Sequence, residues 1–132
     1  MRRVCIGSLI VVLVLATLPV HAHHSFGGTY NVDQKITIKG KIAQVTLRSP
    51  HSFVYVEVEN GDGVVERWTI EGAAASQFAQ QGFDKDAFKV GDPVEVIGNP
   101  SRSPNATRAR LIKITRTTDG KSWGGGAGEV VN

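Results

Sequence analysis

The stretch SFVYVEVENGDGVVERWTIE, residues 52–71, decides the fold. Val54, Val56 and Val58 share one parity, and Phe53, Tyr55 and Glu57 take the other, which predicts a strand over Ser52–Glu59 with two distinct faces. Asn60-Gly61-Asp62-Gly63 supplies the residues a tight hairpin turn requires. Val64–Glu71 then reads as the returning strand, with Trp68 and Ile70 inward and Arg67 and Thr69 outward.

Upstream, Lys35–Arg48 is a long strand whose apolar residues change parity: Ile36, Ile38 and Ile42 on one face, then Val45 and Leu47 on the other. One extra residue near Ala43-Gln44 would produce that switch, so a β-bulge is expected there. Downstream, Ala73–Gln81 carries an apolar stripe of Ala75, Phe78 and Ala79 and is expected to be helical up to Gly82. Asp84 caps a short turn, with Phe83 and Phe88 placed to staple it. Two more strands follow, Val94–Gly98 and Ala106–Arg116, separated by a loop rich in proline and serine. The order strand, strand, strand, helix, strand, strand, with a long bent first strand, predicts a mainly β protein: a small five-stranded OB-like barrel with one short helix between strands 3 and 4. A β-sandwich is the alternative, but the chain is too short to supply seven strands and a helix comfortably.

Residues 1–22 have the form of an export signal. Arg2 and Arg3 precede an apolar run from Ile6 to Leu18; Pro19 breaks it, and Val20 and Ala22 suit a cleavage site. The run is shorter than the roughly 20 residues that span a bilayer. Cleavage is therefore expected after Ala22, giving a periplasmic or secreted protein with no membrane span. The expected organisation is a signal over residues 1–22, a histidine arm over 23–34, a barrel over 35–118 and a loose glycine-rich tail over 119–132.

Removing residues 1–22 from the 132 leaves 110 residues, enough for one domain. The single cysteine, Cys5, and the single methionine, Met1, both lie in the signal. Arg2 and Arg3 leave with it, so the 15 basic residues fall to 13 against 12 acidic ones. A near-neutral exported domain gives little support to nucleic-acid binding.

Cleavage after Ala22 would put a free α-amine on His23, with His24 beside it. An amine and imidazoles form a nitrogen chelate suited to copper, with zinc or nickel as further options. His51 follows Pro50 at the entrance to the second strand and is the candidate third nitrogen; Glu71 is a candidate further ligand or a partner behind the ligands. Without cysteine or methionine, thiolate or thioether chemistry for Cu(I) is excluded from the mature chain. Three histidines with Glu71 as base would meet the ligand count of a zinc hydrolase, but no spacing positions them. Metal handling, or service as an accessory to a periplasmic or membrane protein, is thus expected ahead of catalysis.

A second candidate site is the outward face carrying Phe53, Tyr55 and Arg67, an aromatic and basic surface of the kind OB barrels use to bind ligands. It would make a metal-free binding module for a small molecule, saccharide or protein partner. Lys35, Lys39, Lys41, Arg108, Arg110 and Arg116 read as solvated strand faces.

Several of these segments together resemble a family of small exported bacterial proteins known as a domain of unknown function. They are Ala22-His-His-Ser-Phe26, the arm Tyr30–Asp33, Pro50-His51 before an aromatic strand, Trp68-x-Ile-Glu71, and Gly91-Asp-x-Val94. The resemblance spans nearly the whole mature chain and departs at Ala73–Ala75, where a more polar helix start is usual. It implies a periplasmic protein in which His23, His24, His51 and Glu71 act together, and it implies no reaction.

Overall fold

The computed structural model describes residues 26–124. The signal segment, His23, His24 and the residues beyond Gly124 lie outside the described residues. A short helix α1 (Phe26–Thr29) leads into strands β1 (Ile36–Thr46), β2 (Phe53–Glu59) and β3 (Val65–Glu71). Helix α2 (Ala75–Gln80) is followed by β4 (Pro93–Pro100), β5 (Arg108–Arg116) and β6 (Ser122–Gly124).

The strands form one sheet in the order β3-β2-β1-β4-β5-β6, and a parallel pairing of β3 with β5 closes it into a five-stranded barrel. Closure removes the free edges that an open sheet of this size would expose. The helix between strands 3 and 4 and the bent first strand stand where the sequence places them. In β1, Ile42 faces Val56 and Gln44 faces Tyr55, so Ala43 is the extra residue of the expected bulge. The hairpin turn also forms: Asn60 exchanges backbone bonds with Gly63 and Val64, and Gly63 takes the φ of +75° that a tight turn needs.

Inward-facing Ile38, Ile42, Val54, Val56, Ile70, Val94, Val96, Ala109 and Ile114 fill the barrel, each 4% exposed or less. Phe78 of α2, with Phe83, Phe88 and Trp123, forms an aromatic layer on this core. Phe83 lies 4.6 Å from Phe78, 5.2 Å from Phe88 and 5.5 Å from Trp123, centroid to centroid. Fully burying one such side chain is worth about 1.5–3 kcal/mol. Helix α2 is shorter than its apolar pattern because the backbone before it is engaged elsewhere. The Ala73 carbonyl accepts from Ser52 N–H at 2.9 Å, and Ala75 N–H donates to the Arg48 carbonyl at 3.1 Å. These bonds lash the start of the helix to the β1–β2 connection, which carries Pro50 and His51.

Two expectations are corrected. The tail is not loose from its start, because residues 122–124 pair with β5 as β6 and Trp123 is 3% exposed. Gly124 lies so close to β5 that a Cβ would strike the Ile112 carbonyl, which is why glycine follows the tryptophan. The segment before β1 is not a free arm over its described part either. Tyr30 bridges to Ser101 and is 1% exposed, Asn31 N–H donates to the Pro100 carbonyl at 2.8 Å, and Asn99 Nδ2 donates to the carbonyls of Val32 and Gln34. Among the described residues, no helix is long and apolar enough to cross a membrane.

Candidate functional site

The parallel β3–β5 pairing sets Thr69 beside Arg108 and Glu71 beside Arg110, and the β2–β3 pairing sets Phe53 beside Glu71. Registered partners project to the same face. Ile70 and Ala109 point into the barrel, so Glu71, Arg108 and Arg110 share the outer face. The arm carrying Phe26 and Tyr30 packs on this face.

Glu71 is the hub. Its Oε2 accepts from the Tyr30 hydroxyl and from Arg108 Nη2 at 2.5 Å; Arg108 Nε also donates to the Tyr30 oxygen at 2.7 Å. Its Oε1 lies 2.6 Å from His51 Nδ1. Burial pushes the Glu71 carboxyl up, but the hydrogen bonds from Tyr30, Arg108 and His51 outweigh it and hold the group below the usual carboxylate range. Burial, then the bond to Glu71, pushes the Tyr30 phenol well up, so it stays a donor. The bond to Glu71 is likewise the main cause that raises the Arg108 guanidinium.

An ionised carboxylate only accepts. His51 must therefore present Nδ1–H to Glu71, so that in the neutral imidazole Nε2 is the nitrogen able to bind something else. The Phe26 ring stacks on His51 with centroids 5.0 Å apart and an interplanar angle of 28°. The Arg110 guanidinium lies 4.6 Å from the centroid of that same Phe26 ring. Beside this stack is a cleft of about 290 Å³, bordered by Pro50, His51, Glu71, Gln77, Phe78 and Arg110 among others. Its position follows from the topology. β3 turns away from β5 after Glu71, and β6 joins β5 only at Lys113, so a gap opens between them.

The structure thus brings His51 and Glu71 together, as the sequence suggested. Both Glu71 oxygens are already engaged, so its place is behind the imidazole. His23 and His24 lie outside the described residues. Among the described residues, no group of three His, Cys, Asp or Glu side chains is arranged to hold a metal ion. Phe53, Tyr55 and Arg67 lie on the outer face of β2 and β3. Arg67 stacks on Tyr55 at 4.9 Å and donates to Gln44 Oε1 at 3.1 Å, whereas Phe53 is covered by Arg48 at 4.9 Å.

Sequence reasoning missed Phe26, Tyr30, Arg108 and Arg110. The reading of Arg108 and Arg110 as solvated strand faces is corrected: one is bonded to Glu71 and Tyr30, the other stacks on Phe26. Arg116 is corrected too, since it binds Asp119 and Asp92. Tyr30 and Phe26 were legible only as members of the quoted motifs. Nothing in the pattern of β5 marked Arg108 as the partner of a residue 37 positions away.

The family model of DUF6152, a family of unknown function, matches residues 11–110. The chain belongs to that family. The matched segment contains the histidine arm, His51, Glu71 and both arginines of the outer face, and it ends before β6. No curated protein matches the sequence.

Proposed function

We propose that this member of DUF6152 is an exported, periplasmic metal-binding protein that holds copper through the mature amino terminus and His51. The α-amine and imidazole of His23, with the imidazole of His24, would provide one part of the chelate, and His51 Nε2 the other. The observation that carries the proposal is the His51–Glu71 bond of 2.6 Å with Phe26 stacked on the same imidazole. A histidine that ligates a metal characteristically donates its other N–H to a carboxylate, which fixes the tautomer and raises the basicity of the ligating nitrogen. Phe26 touches His51, and His23 is only three residues upstream of Phe26 in the sequence, a reach of at most about 10 Å of extended chain. Amine and imidazole nitrogens without sulfur favour Cu(II) among the available divalent ions, with zinc or nickel as weaker choices. Glu71 serves by orienting His51, and the role is metal handling or service to a periplasmic or membrane partner.

The test begins with the protein exported through its own signal and its amino terminus established by mass spectrometry. Cu(II) and Zn(II) titrations then compare it with His51→Ala and with a version carrying one extra residue before His23. Either change is expected to weaken Cu(II) binding by about 10-fold or more, on the scale of disturbing one element of a metal site. If both leave the affinity unchanged, the chelate does not exist. A metal-free binding module using Phe53, Tyr55 and Arg67 ranks second, because Arg48 and Arg67 already cover a face of each ring. A ligand that binds the protein but not Phe53→Ala or Tyr55→Ala would promote it.

A further inference from the structure

We infer that Phe26 is a positioning residue that locks the His51 imidazole in one orientation and reports the docking of the arm to it. The inference rests on the copper reading for its consequence, but not for its geometry. A histidine ring held at one edge can still swing about that hydrogen bond. Glu71 holds the edge of His51 at 2.6 Å; Phe26 covers its face at 5.0 Å. The Arg110 guanidinium also lies over the Phe26 ring, 4.6 Å from its centroid, and helps to hold that ring in place. A cation on an aromatic face and the stacking of two rings are both attractive, so each contact restrains the phenyl ring. With edge and face both restrained, Nε2 has one direction.

The same ring is tied to the chain that carries the amino terminus. The Phe26 carbonyl accepts from Tyr30 N–H at 2.7 Å, and the Tyr30 hydroxyl donates to Glu71. The path from Phe26 through Tyr30 and Glu71 to His51 therefore closes a loop on the stacked pair. The docked arm thus contributes to the orientation of the imidazole. Other bonds hold the arm independently: Arg102 Nε donates to the Gly27 carbonyl at 2.6 Å, and Arg102 N–H donates to the Thr29 carbonyl at 2.9 Å. Truncating Phe26 should therefore spare the fold and the path of the arm while freeing the ring of His51.

The experiment compares the mature protein with Phe26→Ala, Phe26→Tyr and Tyr30→Phe. In metal-free protein, ¹⁵N-resolved imidazole spectra are expected to show His51 as the single Nδ1–H tautomer. Phe26→Ala should keep the tautomer that Glu71 dictates but give a narrower, faster-moving ring, and Phe26→Tyr should restore the parent spectrum. Tyr30→Phe should fall between them, because it loosens Glu71 without removing the stack. With Cu(II) bound, the nitrogen hyperfine pattern should lose one imidazole in Phe26→Ala, with affinity about 10-fold lower, and Phe26→Tyr should recover both. Parent-like His51 ring dynamics in Phe26→Ala overturns the inference. If the parent itself binds no copper, the metal reading fails alone, and the metal-free spectra still decide whether Phe26 positions His51.

Discussion

Strand β5 begins and ends on an arginine bound to carboxylate, and the two ends differ in almost everything else. At its start, Arg108 meets Glu71, whose side chain is 9% exposed and which also takes hydrogen bonds from Tyr30 and His51. At its finish, Arg116 meets Asp119, which is 47% exposed, in two bonds of 2.7 and 3.1 Å within a tight turn. Arg116 also lies 3.6 Å from Asp92 and donates to the Ala87 carbonyl. The second cluster is local: its main pair is three residues apart in sequence, and it shapes the turn that brings β6 back. The first joins residues 30, 51, 71 and 108, which only the closed barrel brings together. A local, solvated pair can trim a turn. A long-range buried carboxylate with three donors can hold an arm and orient an imidazole, and those are the properties a functional site needs.

The sharpest way to break the contrast is Glu71→Ala. It leaves the Arg108 and Tyr30 donors facing each other without their acceptor. Breaking a buried pair costs about 3–5 kcal/mol, and because Arg108 is 43% exposed we expect about 2–4 kcal/mol. Urea unfolding should show it as a lower midpoint with an unchanged slope. Tyr30→Phe removes one donor to a charged acceptor and keeps the ring packing, so the expected loss is about 1.5–3 kcal/mol by the same measurement. The smallest effect is expected at the other end of β5. Asp119→Asn should shift the melting temperature no more than an ordinary surface substitution. Raising NaCl to about 1 M should erase that small difference while leaving the Glu71→Ala difference intact, since short-range buried contacts are screened least.

Acid sharpens the same comparison. The hydrogen bonds from Arg116 and from Lys121 N–H hold Asp119 down to about 2 from its ordinary 3.8. A depressed carboxylate contributes stability that is complete above its unfolded value and fades as pH falls through the folded one. Whatever Asp119 contributes should therefore be constant above about pH 5 and vanish toward pH 2. Melting curves of the parent and Asp119→Asn should converge over that range. Curves that stay parallel down to pH 2 would show that the pair contributes nothing.

The alternation of Phe53–Glu59 and Val65–Glu71, the turn between them, the bulge at Ala43 and the helix before β4 were legible because each is a local consequence of side-chain period and turn chemistry. His51 was legible as a candidate because it follows Pro50 at a strand entrance, and Glu71 chiefly as part of the motif Trp68-x-Ile-Glu71. Arg108 was not: a basic residue on a strand face has the same pattern whether it is solvated or paired across a barrel. β6 escaped for a related reason, since three residues in a glycine-rich segment have too little period to read, although Trp123 is a core residue.

The sequence by itself determined a small β-barrel with one helix and the inward faces of its first three strands, because hydrophobic period and turn residues act over a few positions, and it offered His51 and Glu71 as candidates. Only the tertiary structure decided that Glu71 would stand behind His51 and that Tyr30 and Arg108 would share its second oxygen. Phe26 likewise lies on the imidazole face only because the arm folds back across the barrel. Those contacts depend on the parallel closure of β3 on β5 and on the path of the arm, and long-range register leaves no periodic trace in the chain.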